Sequence, residues 1–208
     1  MEKILFIDTL TTGMNPEHCA IYRMAGIYTE DGTEVSRFEL KVRPFRGARL
    51  SDQSLWIGGT DRMELTRYPD DATAFQDFIK YLDGIVDVRN AKDKLYIAGF
   101  NAATFDVPFI REWFLRNGNS HFRDYFFMQI IDLMTVAAFV MGPERRAMRD
   151  FKLESVANAL QVPVYYSEGC DCLRNAKVSL DIYRNLKGSL GLDEYTETAE
   201  SETVYRNF

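Results

Sequence analysis

The period with which apolar and polar residues alternate changes along the chain, and each change predicts an element. Ile4 to Ile7 is an unbroken apolar run that stops at Asp8, the pattern of a buried strand. Thr11-Thr12-Gly13-Met14-Asn15-Pro16 is turn chemistry. Ile21 to Tyr28 reads as a second strand, and Asp31-Gly32 marks a hairpin turn. Val35 to Val42 alternates as a third strand, ending at Pro44. These three strands form an antiparallel meander.

The period then lengthens. Residues 45–69 look irregular, with Gly58-Gly59 inside. Ala72 to Ile85 carries Phe75, Phe78, Ile79 and Leu82 at helical spacing. Leu95 to Phe100 is an apolar strand, and Val107 to Leu115 is a helix closed by Asn117-Gly118. Tyr125 to Ile131 reads as a short strand, and Leu133 to Met141 as a helix ended by Gly142-Pro143. Phe151 to Leu160 and Asn175 to Leu186 are the last two helices. A meander followed by strands alternating with helices predicts an α/β fold: a mixed sheet, antiparallel then parallel, flanked by helices on both faces. Residues 1–190 read as one domain, and 191–208 as a polar, acidic tail.

Composition narrows the class. With 208 residues, 46% of them apolar, the chain can bury a sizeable core. No apolar run approaches the roughly 18–20 residues of a membrane span. The N-terminal apolar stretch is too short for a signal peptide, so a cytoplasmic protein is expected. Three cysteines (Cys19, Cys170, Cys172) and two histidines (His18, His121) do not have the spacing of a structural zinc site. Free thiols are the simpler reading. The net charge of −6 argues against a protein that coats nucleic acid generically. It leaves room for an enzyme whose carboxylates gather divalent cations.

Three carboxylates stand where such a site would form. Asp8 ends the first strand, Asp106 opens the helix after the fourth, and Asp181 lies in the last helix. Active sites of open α/β sheets gather at strand ends. Three converging acids suit two-metal phosphodiester hydrolysis, with Mg²⁺ or Mn²⁺ ions about 3.5–4 Å apart flanking the phosphate. Taken singly, each aspartate is equally a turn residue, a helix-start residue or part of a solvated face.

Phe6-Ile7-Asp8-Thr9-Leu10-Thr11-Thr12-Gly13 resembles the first motif of the DEDD 3′–5′ exonucleases, Asp-Thr-Glu-Thr-Thr-Gly. Asn101-Ala102-Ala103-Thr104-Phe105-Asp106-Val107-Pro108-Phe109 is similar to their second motif. Phe151 to Ala157 resembles the helix preceding the third, whose aspartate falls at Asp181. The resemblance runs from Lys3 to about Leu186 and is nearest the histidine-containing type. It implies a ribonuclease-H-like fold. It also implies that Asp8, Asp106 and Asp181 bind the metals and carry catalysis. Thr11, Thr12, Gly13 and Asn101 would shape a nucleotide pocket.

Two positions depart from the family pattern. Residues two apart on a strand project together, so the family's glutamate position holds Leu10, which offers a hard cation no oxygen. The histidine five residues before the last aspartate becomes Ala176, and the tyrosine alternative becomes Lys177. A positioned base contributes roughly 10²–10⁴-fold. The expectation is therefore an impaired or inactive exonuclease that binds single-stranded nucleic acid, a nucleotide or a protein partner. The alternative is an active enzyme with a rearranged metal site. Phe100, Phe105 and Tyr22 are possible base-stacking rings, with core packing the simpler reading. Arg145, Arg146, Arg149 and Lys152 form a basic cluster near the expected site.

Overall fold

The computed structural model describes residues 1–165 and 171–192. β1 (Lys3–Thr11), β2 (Ile21–Glu30) and β3 (Thr33–Lys41) form the meander. β4 (Tyr96–Gly99) and β5 (Ile131–Asp132) complete a five-stranded sheet in the order β3-β2-β1-β4-β5. β1 pairs antiparallel with β2 and parallel with β4, and β4 runs parallel to β5. β1 thus lies in the middle of the sheet, which is why its apolar run is unbroken. β3 is an edge strand and alternates between exposed and partly buried residues along its whole length.

Strand parity divides the core. Leu5 and Ile7 face α3 (Asp71–Asp83) and α4 (Asp106–Arg116), packing with Phe75, Phe78, Trp113 and Phe114. Phe75 meets Trp113 and Phe114 edge-on, with ring centroids 5.2 and 5.1 Å apart. Ile4 and Phe6 face the opposite side, against α6 (Leu133–Val140), α7 (Leu153–Ala159) and α8 (Cys172–Ser189). Each fully buried side chain of this size contributes about 1.5–3 kcal/mol of hydrophobic stabilisation before ordering costs. By the same parity, Asp8 and Leu10 project towards α8.

Local chemistry sets the helix starts. Asp70 caps α3, its carboxylate accepting from the Thr73 N–H at 3.0 Å. Asp171 caps α8 by accepting from Leu173 and Arg174 N–H at 2.9 and 3.3 Å. α8 therefore begins at Cys172, three residues earlier than the apolar spacing predicts.

Two other regions depart from the sequence pattern. Residues 45–69 contain two short helices, α1 (Asp52–Ile57) capped by Ser51 and α2 (Arg62–Leu65) capped by Asp61. The strand expected over Tyr125 to Ile131 contracts to β5. Phe122–Tyr125 is the helical turn α5, and Phe126 makes one parallel bridge to Leu95. Aromatic packing of Phe122, Tyr125 and Phe126 against Phe114 accounts for the apolar residues that suggested a longer strand. Of the expected tail, residues 193–208 lie outside the described residues.

Candidate active site of an exonuclease fold

β1 and the start of α4 bring Asp8 and Asp106 together. Asp106 is buried at 4% exposure. Its Oδ1 accepts from the Thr9 N–H at 2.8 Å and the Thr9 hydroxyl at 2.6 Å. Burial holds the Asp106 carboxyl well above its ordinary range, and the nearby charge of Asp8 adds to this; the Thr9 hydrogen bonds oppose it. The loop before Asp106 is anchored to β5, where Asp132 accepts from the Ala103 N–H at 3.0 Å. Gly99 permits the close approach of β4 to β1, since a Cβ there would lie 2.7 Å from the Ile7 carbonyl oxygen.

Asp8 has different surroundings. Its Oδ2 accepts from the Asn175 side-chain amide at 3.2 Å, and the Cys172 thiol also hydrogen-bonds to it. Burial pushes the Asp8 carboxyl up to about 7, and the charge of Asp171 acts in the same direction. Asn175, Cys172 and the Arg174 guanidinium pull the other way, but burial prevails. Leu10, two residues on, is 9% exposed and packs with Tyr22, Ala25, Leu55, Leu65, Tyr68 and Cys172. Its side chain is a structural member of a small apolar cluster.

The structure does not bring Asp181 to this pair. Asp181 bonds to Lys177 Nζ at 2.5 Å, lies 3.7 Å from Arg184 Nη1 and accepts from the Tyr165 hydroxyl at 3.4 Å. Among the described residues, no three histidine, cysteine, aspartate or glutamate side chains converge as a metal site. Helical geometry gives the reason. At about 100° per residue, Asp181 is turned about 120° around α8 from Asn175. The buried residues of α8 are Cys172, Asn175, Ala176, Val178, Ser179, Leu180, Ile182 and Leu186, and Asp181 is not among them. Ala176 is fully buried in the apolar core against α6 and α7, so it does not mark a lost base beside Asp8. Counting five residues back from Asn175 reaches Cys170, which lies outside the described residues.

The expected nucleotide-pocket side chains are already engaged. The Thr11 hydroxyl donates to the Gly13 carbonyl at 2.7 Å. Thr12, fully buried, donates to the Arg49 carbonyl at 2.7 Å and accepts from the Ala20 N–H at 2.9 Å. Gly13 backs onto Cys19, where a Cβ would meet the sulfur at 2.6 Å. Asn101 has a left-handed backbone with φ 67°, and its side chain accepts from the Thr104 hydroxyl at 2.5 Å. Tyr22 is fully buried, Phe105 packs on Phe109, and Phe100 pairs with Phe151. Sequence reasoning missed Asn175, Cys172 and Arg174. The Val178–Ile182–Leu186 spacing was the available signal, because it fixes the inward face of α8.

A mixed sheet in this order, with an aspartate in the second half of its central strand and a second opening the helix after β4, defines a ribonuclease-H-like nuclease fold. The family model described as Exonuclease (RNase T) matches residues 5–163, and the chain belongs to that DEDD-type exonuclease family. Among solved structures, it is similar to E. coli exonuclease I in complex with a dT13 oligonucleotide, with a TM-score of 0.74 and 18% identity. That match covers 97% of this chain and 44% of the other. The zinc-ion-bound E. coli exonuclease I–ssDNA complex matches with a TM-score of 0.73 and 19% identity, over 94% of this chain and 42% of that one. The chain thus spans less than half the length of these relatives. No curated protein matches by sequence.

Divalent metals are typical of the family, but the donors among the described residues do not fit a pair of them. Leu10 supplies no oxygen, and Asn175 points an N–H, not an oxygen, at Asp8. Asp106 Oδ1 is already committed to two donors. Octahedral Mg²⁺ needs oxygen ligands on its inner side. No helix among the described residues is long and apolar enough to cross a membrane.

Proposed function

We propose that this chain is a non-hydrolysing member of the exonuclease family that binds single-stranded nucleic acid. The observation that carries this reading is the Asn175–Asp8 contact at 3.2 Å, with Leu10 packed beside it in an apolar cluster. In-line hydrolysis needs a nucleophilic water and charge neutralisation at the phosphate, which the family's metals supply when bound. Here an amide hydrogen occupies the approach to Asp8, and a leucine stands where a second carboxylate is needed. Three observations support nucleic-acid binding. The fold neighbours were solved with dT13 and dA16 oligonucleotides. Arg145, Arg146, Arg149 and Lys152 are all exposed on the segment leading into α7. Arg174, on α8, ties this region to the site through Glu154 of α7 at 3.1 Å.

The test uses a 5′-labelled single-stranded oligonucleotide with Mg²⁺ or Mn²⁺. The expected result is a rise in fluorescence anisotropy with no shortening of the strand. Shortening that Asp8→Ala abolishes would establish instead an active enzyme with a rearranged metal site. Failure of the oligonucleotide to bind would overturn the nucleic-acid assignment.

A further inference from the structure

We infer that Arg174, acting through Asn175, takes the place of the divalent cation beside Asp8. The inference rests on the non-hydrolysing reading above and names what fills the site. The connection is continuous: Asn175 Nδ2 donates to Asp8 Oδ2 at 3.2 Å. Asn175 Oδ1 accepts from Arg174 Nη2 at 3.1 Å and from Nε at 3.3 Å. These partners fix the amide orientation. Turned over, the amide would point its oxygen at a carboxylate and its hydrogens at a guanidinium, losing the bonds to Asp8 and Arg174. The amide dipole thus relays positive charge from Arg174 to Asp8.

An aspartate at 175 could not serve as this relay. It would put a second carboxylate beside Asp8 and leave the pair in need of a cation between them. Asparagine removes that need, and the neighbouring guanidinium supplies a charge that neither dissociates nor deprotonates. Arg174 is itself held in place. Its side chain is only 12% exposed, and the Nη2 that donates to Asn175 also donates to Glu154 at 3.1 Å. Leu10, on the same strand face as Asp8, packs in an apolar cluster and offers a second ion no oxygen ligand. Asn175, and not Asp181, is therefore the α8 residue that occupies the third acidic position of the family pattern, in amide form.

The experiment titrates wild-type protein, Asn175→Asp and Leu10→Glu/Asn175→Asp with MnCl₂ alone. Free Mn²⁺ is read by its electron paramagnetic resonance signal and the protein by its melting temperature. Wild type is expected neither to deplete the free-ion signal nor to gain melting temperature. Asn175→Asp is expected to melt lower than wild type in EDTA, to recover on adding Mn²⁺, and to bind the ion roughly tenfold more tightly or better. The double variant should bind more tightly still. Stoichiometric Mn²⁺ binding by wild type that Asp8→Asn removes would overturn the inference, and this measurement stands even if a variant fails to fold. Equal Mn²⁺ affinity of wild type and Asn175→Asp would overturn it as well. Mn²⁺ binding with an intact oligonucleotide defeats this inference alone, whereas strand shortening by wild type defeats the proposed function.

Discussion

Asp106 and Asp8 are neighbours with opposite histories of support. The Asp106 corner is closed on itself: its acceptor oxygen is filled by the backbone and side chain of Thr9, the residue next to Asp8 on β1. Its hydrogen-bond donors come from β1, and the loop before it is tied to β5. The Asp8 corner depends on α8, more than 160 residues away in sequence, since its Asn175 contact spans 167 positions. At Asp8 the partners are an amide, a thiol and, beyond them, a guanidinium. The difference teaches where a nuclease site can change while its fold stays intact. Replacing Asp106 would disturb the β1–α4 junction, whereas exchanging side chains on the inward face of α8 alters charge and leaves the frame standing.

The sharpest way to break this comparison is at Leu10, which shares the strand face of Asp8 but behaves as core. Leu10→Ala should cost about 3 kcal/mol, as truncation of a buried leucine does. The residues that lose packing are Tyr22, Leu55, Leu65 and Tyr68. Urea denaturation measures it, and a loss below about 0.5 kcal/mol, the range of ordinary surface substitutions, would mean that Leu10 is not part of that cluster. A somewhat smaller loss is expected for Asp106→Ala at mildly acidic pH. Acid favours the neutral carboxyl that burial already stabilises, so little buried charge is relieved, and the Thr9 N–H and hydroxyl lose their acceptor. Two such orphaned donors cost about 2 kcal/mol together. Asp106→Asn keeps an oxygen in place and should lose less than half as much under the same denaturation.

The same two corners differ in how far the sequence discloses them. β1, the meander and the helix after β4 were legible because periodicity and turn residues are local signals, and Asp8 and Asp106 followed from their positions on those elements. Leu10 was legible as a departure, because strand alternation alone puts it on the face of Asp8. The α8 side was not. Linear counting from a motif chose Asp181, since an aspartate is the residue type expected there. What decides the matter is rotation about the helix axis, set by the Asp171 cap and the Ile182–Leu186 stripe. Once the helix face is fixed, Asn175 points inward and Asp181 meets Lys177 and Tyr165. The short helices over 45–69 were hidden because their stability comes from caps and from Leu55 and Leu65 docking near Leu10, not from any long periodic run.

The smallest effect tests whether burial governs Asp8 as described. An acid whose carboxyl is raised in the folded state stabilises that state fully below its unfolded pKa, and the contribution fades as pH rises through the folded value. For Asp8 the window runs from 3.8 to about 7. Wild type should therefore lose melting temperature across that window. Asp8→Asn carries no charge at any of these pH values and still offers an oxygen to the Asn175 amide. Its melting temperature should match wild type near pH 4, rise above it progressively towards pH 7, and hold a constant advantage beyond. Because Asp8 is partly exposed, solvent screening keeps the gap modest. Parallel curves for the two proteins would mean that Asp8 titrates like a surface carboxylate. A reversed sign, with the variant falling behind as pH rises, would mean that Arg174 and Asn175 outweigh burial at this corner.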